Sequence, residues 1–338
     1  MKKIISLIIT LALTLGILAS CTNGNGSQGG ENTDTPTKIR IGYMAGPTGM
    51  GMAKLVADNG GLENGNDKYS FTKYADTAAA KADLAAGKID VICLPTNEAA
   101  VYYNTVSKDI RVLAINCLNS LYLLSDKDNS ATSFADLEGK IVYTCKNGTP
   151  RQVLEYIVKA ENLDIEVSYT YNDKEILTPA DLGALVTAGS LPFAVLPEPI
   201  VTSSLLAIQK NGNADIQYSV DVNLTNEWAK ISDTPVTMGC IVTFNDFATE
   251  NKDEIDAFLT EYKASVEYVG NSENLDSAAN YVVETGVMAA APAAKKALSN
   301  LGGAIAYIDG GEMKSALINF YGAIGLATLP GDEFYYEK

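Results

Sequence analysis

From Lys38 onward short apolar runs alternate with helical patterns, and the alternation is passed through twice. "KIRIGYM" reads as a strand, Gly49 to Asn59 as a helix closed by Gly60-Gly61, and "YSFTKYA" as a second strand. "TAAAKADLAAG" then predicts a helix, "IDVICLP" a third strand, "TNEAAVYYNTV" a helix and "IRVLAINCL" a fourth strand. Such alternation calls for a mainly parallel sheet with helices on its faces, an α/β build. Lys38-Ile39 returns as Lys140-Ile141, Gly46 as Gly148, Ala86-Gly87 as Ala188-Gly189 and Leu94-Pro95 as Leu196-Pro197, each 102 residues further on. Identities at one offset, each at the same place in a strand–loop–helix unit, predict two lobes of similar build.

The last third is helical. Ile255, Phe258, Leu259, Tyr262, Val266 and Val269 recur at helical spacing and predict one buried stripe. Residues 275–285 and 311–325 read as further helices that return to cover the first lobe. The expected division is therefore 38–122 for the first part of lobe one, 123–242 for lobe two and 243–338 for the helical return. The chain would cross out near Asn119 to Ser125 and back around Gly239 to Asn245.

Ahead of the lobes, Lys2 and Lys3 precede an apolar run from Ile4 to Leu18, followed by Leu18-Ala19-Ser20-Cys21. The run is short for a membrane span and ends at small residues, as an export signal does. The cysteine placed there resembles a bacterial lipobox, which would imply lipidation of Cys21 and removal of residues 1–20. Residues 21–37 include "TNGNGSQGGENTDTPT", with no large apolar side chain, and read as a flexible tether. The expected location is extracytoplasmic, lipid-anchored on the outer face of the cell membrane.

The formal net charge is −16, and losing Lys2 and Lys3 with the signal makes it more negative still. An acidic chain of this kind has little to neutralise phosphates, which argues against nucleic acid and anionic lipid as partners. Cys93, Cys117, Cys145 and Cys240 sit in apolar strand-like runs without ligand spacing, and read as buried thiols. The sequence has no histidine, which excludes Ser-His-Asp and Cys-His catalysis and removes the commonest metal ligand. No metal and no cofactor is expected.

In open α/β sheets, ligands sit beyond the carboxyl ends of the strands. Four loops are predicted there: Tyr43–Gly51 and Leu94–Glu98 in lobe one, Cys145–Arg151 and Leu196–Ile200 in lobe two. "GPTGMG" is neither GxxxxGK[ST] nor GxGxxG, and Asp76 at the end of the second strand lacks the glycine spacing of a dinucleotide site. Gly46 and Gly49 would instead let the backbone approach a ligand. Thr48, Thr96 and Thr149 are placed to cap helices, whose N-termini favour anionic or carbonyl groups. Arg151 is one of three arginines and could clamp an anion. Tyr43 and Tyr143, one from each lobe, could sandwich a planar ligand, and Glu198 could accept from an amine. Asn97, Asn119 and Lys146 complete the candidate binding set.

At these loops the sequence resembles ABC-transporter substrate-binding proteins of the taurine/nitrate/sulfonate, NMT1/THI5-like group. The residues that carry the resemblance are the lipobox ending at Cys21, "GYMAGPTGMGMAKL", "AAGKIDVICLP", "SFADLEGKIVYTCKNGTP", "LPFAVLPEP" and "CIVTFNDFATENKDEIDAFL". The resemblance implies a two-lobed type II periplasmic-binding fold that closes on one small-molecule solute. It also implies a permease and an ATPase as partners, a monomer, and no enzymatic activity. The pyrimidine-synthesising branch of this fold depends on a histidine and a cysteine-rich motif, both missing here. Two alternatives share the scaffold: a lyase or dehydratase using Glu98 and Glu198, and a receptor domain that reports its ligand to a membrane sensor.

Overall fold

A computed structural model describes residues 37–337. The signal, Cys21 and nearly all of the tether lie outside the described residues.

The first run comprises β1 (Ile39–Met44), α1 (Pro47–Met50), α2 (Ala53–Asp58), α3 (Gly61–Asn64), β2 (Tyr69–Tyr74), α4 (Thr77–Ala85), β3 (Val91–Pro95), α5 (Thr96–Thr105) and β4 (Ile110–Leu118). The chain then crosses into β5 (Leu121–Asp126), β6 (Ile141–Tyr143), α6 (Thr149–Ala160), β7 (Glu166–Ser168), β8 (Thr170–Tyr171) and β9 (Lys174–Glu175). The second lobe continues with α7 (Pro179–Thr187), β10 (Phe193–Pro197), α8 (Ile200–Asn211), β11 (Tyr218–Asn223) and α9 (Leu224–Trp228). The return consists of β12 (Thr237–Phe244), α10 (Asn245–Glu250), α11 (Lys252–Gly270), α12 (Leu275–Glu284), α13 (Ala291–Leu301), β13 (Ile305–Ile308) and α14 (Gly310–Ala323).

The six-stranded sheet has the order β13-β4-β12-β3-β1-β2, and the five-stranded sheet β11-β5-β10-β6-β7. β3, β1 and β2 are mutually parallel, as are β10, β6 and β7. β12 enters antiparallel beside β3, and β5 antiparallel beside β10. Each lobe is thus a parallel βαβ core plus an antiparallel strand delivered by a crossing, so the sheets are mixed, with most strands running the same way, as expected.

The 102-residue offset is structural. Residues 39–44 and 141–143 are the first strands of the two cores, and Pro95 and Pro197 end the third. Gly87 and Gly189 both follow a helix at positive φ (+64° and +70°), a conformation that glycine adopts without strain.

Two boundaries differ from the sequence expectation. The outgoing crossing is confined to Asn119 and Ser120, and β12 already belongs to lobe one, so the return falls between Trp228 and Thr237 rather than after residue 242. Apolar strands read alike in either sheet; only pairing assigns "TMGCIVTF" to the first. The return also contains a strand, β13, beside β4. The predicted stripe of α11 is fully buried, and the helix packs on β13, α2 and α12. Cys93, Cys117, Cys145 and Cys240 are all buried and free. Among the described residues no helix is long and apolar enough to cross a membrane.

Candidate functional site

The carboxyl ends of β1, β2, β3, β6 and β10 face one another across a cavity of about 400 Å³. Lobe one contributes Met44–Thr48, Ala75–Ala78, Pro95, Glu98 and Met238. Lobe two contributes Asn147–Pro150, Leu177–Ala180 and Pro197–Ile200. The four loops predicted from sequence all reach the cavity. Two more join them, Ala75–Ala78 and Leu177–Ala180, and these are again 102 residues apart. The offset, applied to the end of the second strand, was the signal that finds them. Six of the eleven prolines (Pro47, Pro95, Pro150, Pro179, Pro197 and Pro199) line the wall, which gives it apolar surface on rigid backbone.

Of the candidate residues, Gly46, Thr48, Thr149 and Glu198 line the cavity, and the other eight do not. Tyr43 is wholly buried beneath the loop, donating its hydroxyl to the Thr285 carbonyl at 2.8 Å, and burial pushes its phenol well above its usual range. Tyr143 packs edge-on against Tyr171 within lobe two, with ring centroids 6.1 Å apart. The two rings therefore form no sandwich across the cleft. A Cβ on Gly49 would stand 2.2 Å from the Met44 carbonyl oxygen, so this glycine allows the turn to close on itself. In this loop Gly49 serves packing, and Gly46 is the one of its glycines that lines the cavity.

Arg151 turns to Glu155 at 3.4 Å and lies over the Tyr169 ring at 5.5 Å. Lys146 pairs with Glu175. Neither cation is aimed into the cleft, because each finds a partner on its own lobe. Asn119 sits at the crossing with φ +34°; its amide N–H donates to the Val236 carbonyl and its side-chain oxygen accepts from the Val236 N–H, both at 3.0 Å. It ties the outgoing crossing to the return.

The three threonines do not cap their helices. The capping residues of α1, α5 and α6 are Gly46, Pro95 and Gly148, with no side-chain cap bond. The hydroxyls of two serve other partners: Thr96 donates to the Thr237 carbonyl at 2.6 Å, and Thr149 to the Asn97 side chain at 3.2 Å. Asn97 in turn donates to Gln152 at 2.7 Å, so α5 of lobe one is joined to α6 of lobe two on one side of the cavity.

Three carboxylates line the cavity. Asp76 caps α4 through the Ala79 N–H at 2.9 Å, and Glu98 pairs with Lys81 at 2.5 Å. Glu198 is 1% exposed and accepts from the Thr202 N–H, the Thr202 hydroxyl and the Asn300 amide. Burial raises its pKa against the opposing pull of those donors. Lysine and arginine are missing from the lining residues, and so is any aromatic side chain. Among the described residues no cluster of acidic or sulfur side chains could hold a metal ion.

No protein-family model and no curated protein sequence matches this chain. Solved structures do. An ABC transporter structure from Parabacteroides distasonis is 22% identical, with a TM-score of 0.67 over 90% of this chain and 100% of the other. The ligand-binding component of an ABC-type import system from Staphylococcus aureus, solved with zinc, is 13% identical, with a TM-score of 0.67 over 88% and 96%. The periplasmic aliphatic sulphonate binding protein SsuA from Escherichia coli is 17% identical, with a TM-score of 0.66 over 89% and 92%. At these identities the likeness is one of fold: the chain has the two-lobed α/β architecture of periplasmic binding proteins.

Proposed function

We propose that this protein is an extracytoplasmic solute-binding protein of an ABC importer. It captures a small molecule between its lobes by hinge closure and presents it to a permease and ATPase. The observation that carries the reading is the cavity, built from matching loops of two lobes whose chain crossings are paired at Asn119 and Val236. Its size is that of a small-molecule site. The fold likeness to binding components of ABC importers supports the same reading. The lipobox supports anchoring through Cys21 to the outer face of the membrane, and the likeness of the strand-end motifs supports a place in the sulfonate, nitrate and NMT1/THI5-like group.

An enzyme reading would use Glu98 and Glu198, and both are already partnered, one by Lys81 and the other by three donors. Binding without turnover is the simpler chemistry for such a site. The test is native mass spectrometry of the purified chain with the small-molecule fraction of a cell extract. The expected result is a one-to-one adduct that persists unchanged on incubation. The reading fails if no adduct forms, and passes to an enzyme if the adduct is converted.

A further inference from the structure

We propose that Asn97 and Asn300 are positioning residues of the solute site. Neither lines the cavity, and each reaches across from lobe one to hold a lobe-two side chain that does. The inference rests on the solute-binding reading above and adds which residues keep the two halves of the site in register.

Asn97 is buried in the first turn of α5. Its side-chain oxygen accepts the Thr149 hydroxyl at 3.2 Å, and its amide donates to Gln152 at 2.7 Å. Asn300 is exposed in the last turn of α13. Its amide donates to Glu198 at 2.7 Å and to the Thr202 hydroxyl at 3.3 Å, and its carbonyl accepts the Tyr122 hydroxyl at 2.8 Å. Lys296, one turn earlier on the same helix, adds positive charge that acts on the Glu198 carboxylate. The two asparagines are used alike. Each holds one cavity residue, Thr149 or Glu198, together with a residue of the adjoining lobe-two helix, Gln152 on α6 or Thr202 on α8.

A hydrogen bond is lost once donor and acceptor draw apart beyond about 3.5 Å. Bonds that span the lobes therefore hold only while the lobes are together, whereas those within one lobe survive their parting. Their free energy favours the arrangement in which Thr149 and Glu198 face the loops of lobe one. A solute that needs both lobes is held more tightly by the same factor. Because neither asparagine lines the cavity, replacing one should change how long the solute is held and leave unchanged what is held.

The test loads the purified chain from the small-molecule fraction of a cell extract, removes the excess, and follows loss of the adduct after dilution by native mass spectrometry. Asn97→Ala and Asn300→Ala should carry the same bound mass as the wild type and release it about two- to tenfold faster. Asn104→Ala removes a 2.6 Å bond to the Thr328 carbonyl inside lobe one and should release at the wild-type rate. Asn300→Asp keeps the side-chain volume but sets a carboxylate against Glu198, so it too should release faster. In a Glu198→Gln background, where the new amide can donate, Asn300→Asp should cost far less. Asn97→Ser and Asn300→Asp carry the test if an alanine variant loses its cooperative thermal melt. Release at the wild-type rate removes the asparagine concerned from the role, and equal acceleration in Asn104→Ala overturns the role for both, while solute binding stands. A wild-type chain that forms no adduct removes the binding reading and this inference with it.

Discussion

Asn300, on a helix of lobe one, donates its side-chain amide to the buried carboxylate of Glu198 in lobe two at 2.7 Å, and its own carbonyl accepts the Tyr122 hydroxyl at 2.8 Å. A carboxylate in the cavity wall is thereby held by both lobes. Replacing Asn300 by alanine removes one donor from a group that water cannot reach. The expected cost is about 1–3 kcal/mol, read as a lower urea midpoint at unchanged m-value.

The same burial gives a pH dependence with a definite sign. Because the pKa of Glu198 is raised in the folded protein, the folded state holds this proton more tightly than the unfolded chain. Its contribution is complete below the ordinary glutamate value of 4.5 and is lost as pH rises through the native value. Stability of the wild type should therefore fall relative to Glu198→Gln across that window and run parallel to it on either side. Parallel curves throughout would mean that the carboxylate is not desolvated.

Gly239 couples the sheet to the cavity. A Cβ there would stand 2.1 Å from Thr48 Cγ2 and 2.6 Å from Asn116 Oδ1. Gly239→Ala should destabilise by about 1–3 kcal/mol through overpacking and weaken solute binding by displacing Thr48. Combining it with Thr48→Ala should recover part of the stability, giving a non-zero coupling in a double-mutant cycle.

Arg151→Ala should leave the affinity for the captured solute within twofold. The guanidinium makes an exposed pair with Glu155, and its Nε is buried with no partner among the described residues, so stability should change by less than about 0.5 kcal/mol. A tenfold loss of affinity in titration calorimetry would return Arg151 to the site.

Trp228, the sole tryptophan, lies between Tyr156 of lobe two at 5.0 Å and Phe320 of the return at 5.7 Å. Closure about the crossings should alter that stacking, so solute binding should shift or quench tryptophan emission. The signal should be lost in Trp228→Phe while the adduct in the mass spectrum is retained.

Much of this protein was determined by sequence alone. Alternating periodicity sets strands and helices because each must bury one face, and the 102-residue offset marks two copies of one βαβ core. From these came the lobes, the stripe of α11 and the four loops at strand ends. The tertiary structure decided matters that depend on partners distant in the chain. Strand pairing placed residues 237–244 in the first sheet and made both sheets mixed. Side-chain direction and competition for partners decided which side chains line the cavity. Arg151, Lys146 and the two tyrosines stand near strand ends in the sequence, yet each finds its contact within its own lobe. Local spacing says where a residue sits along the chain. What it faces is set by residues that folding brings beside it, as Asn300 is brought beside Glu198.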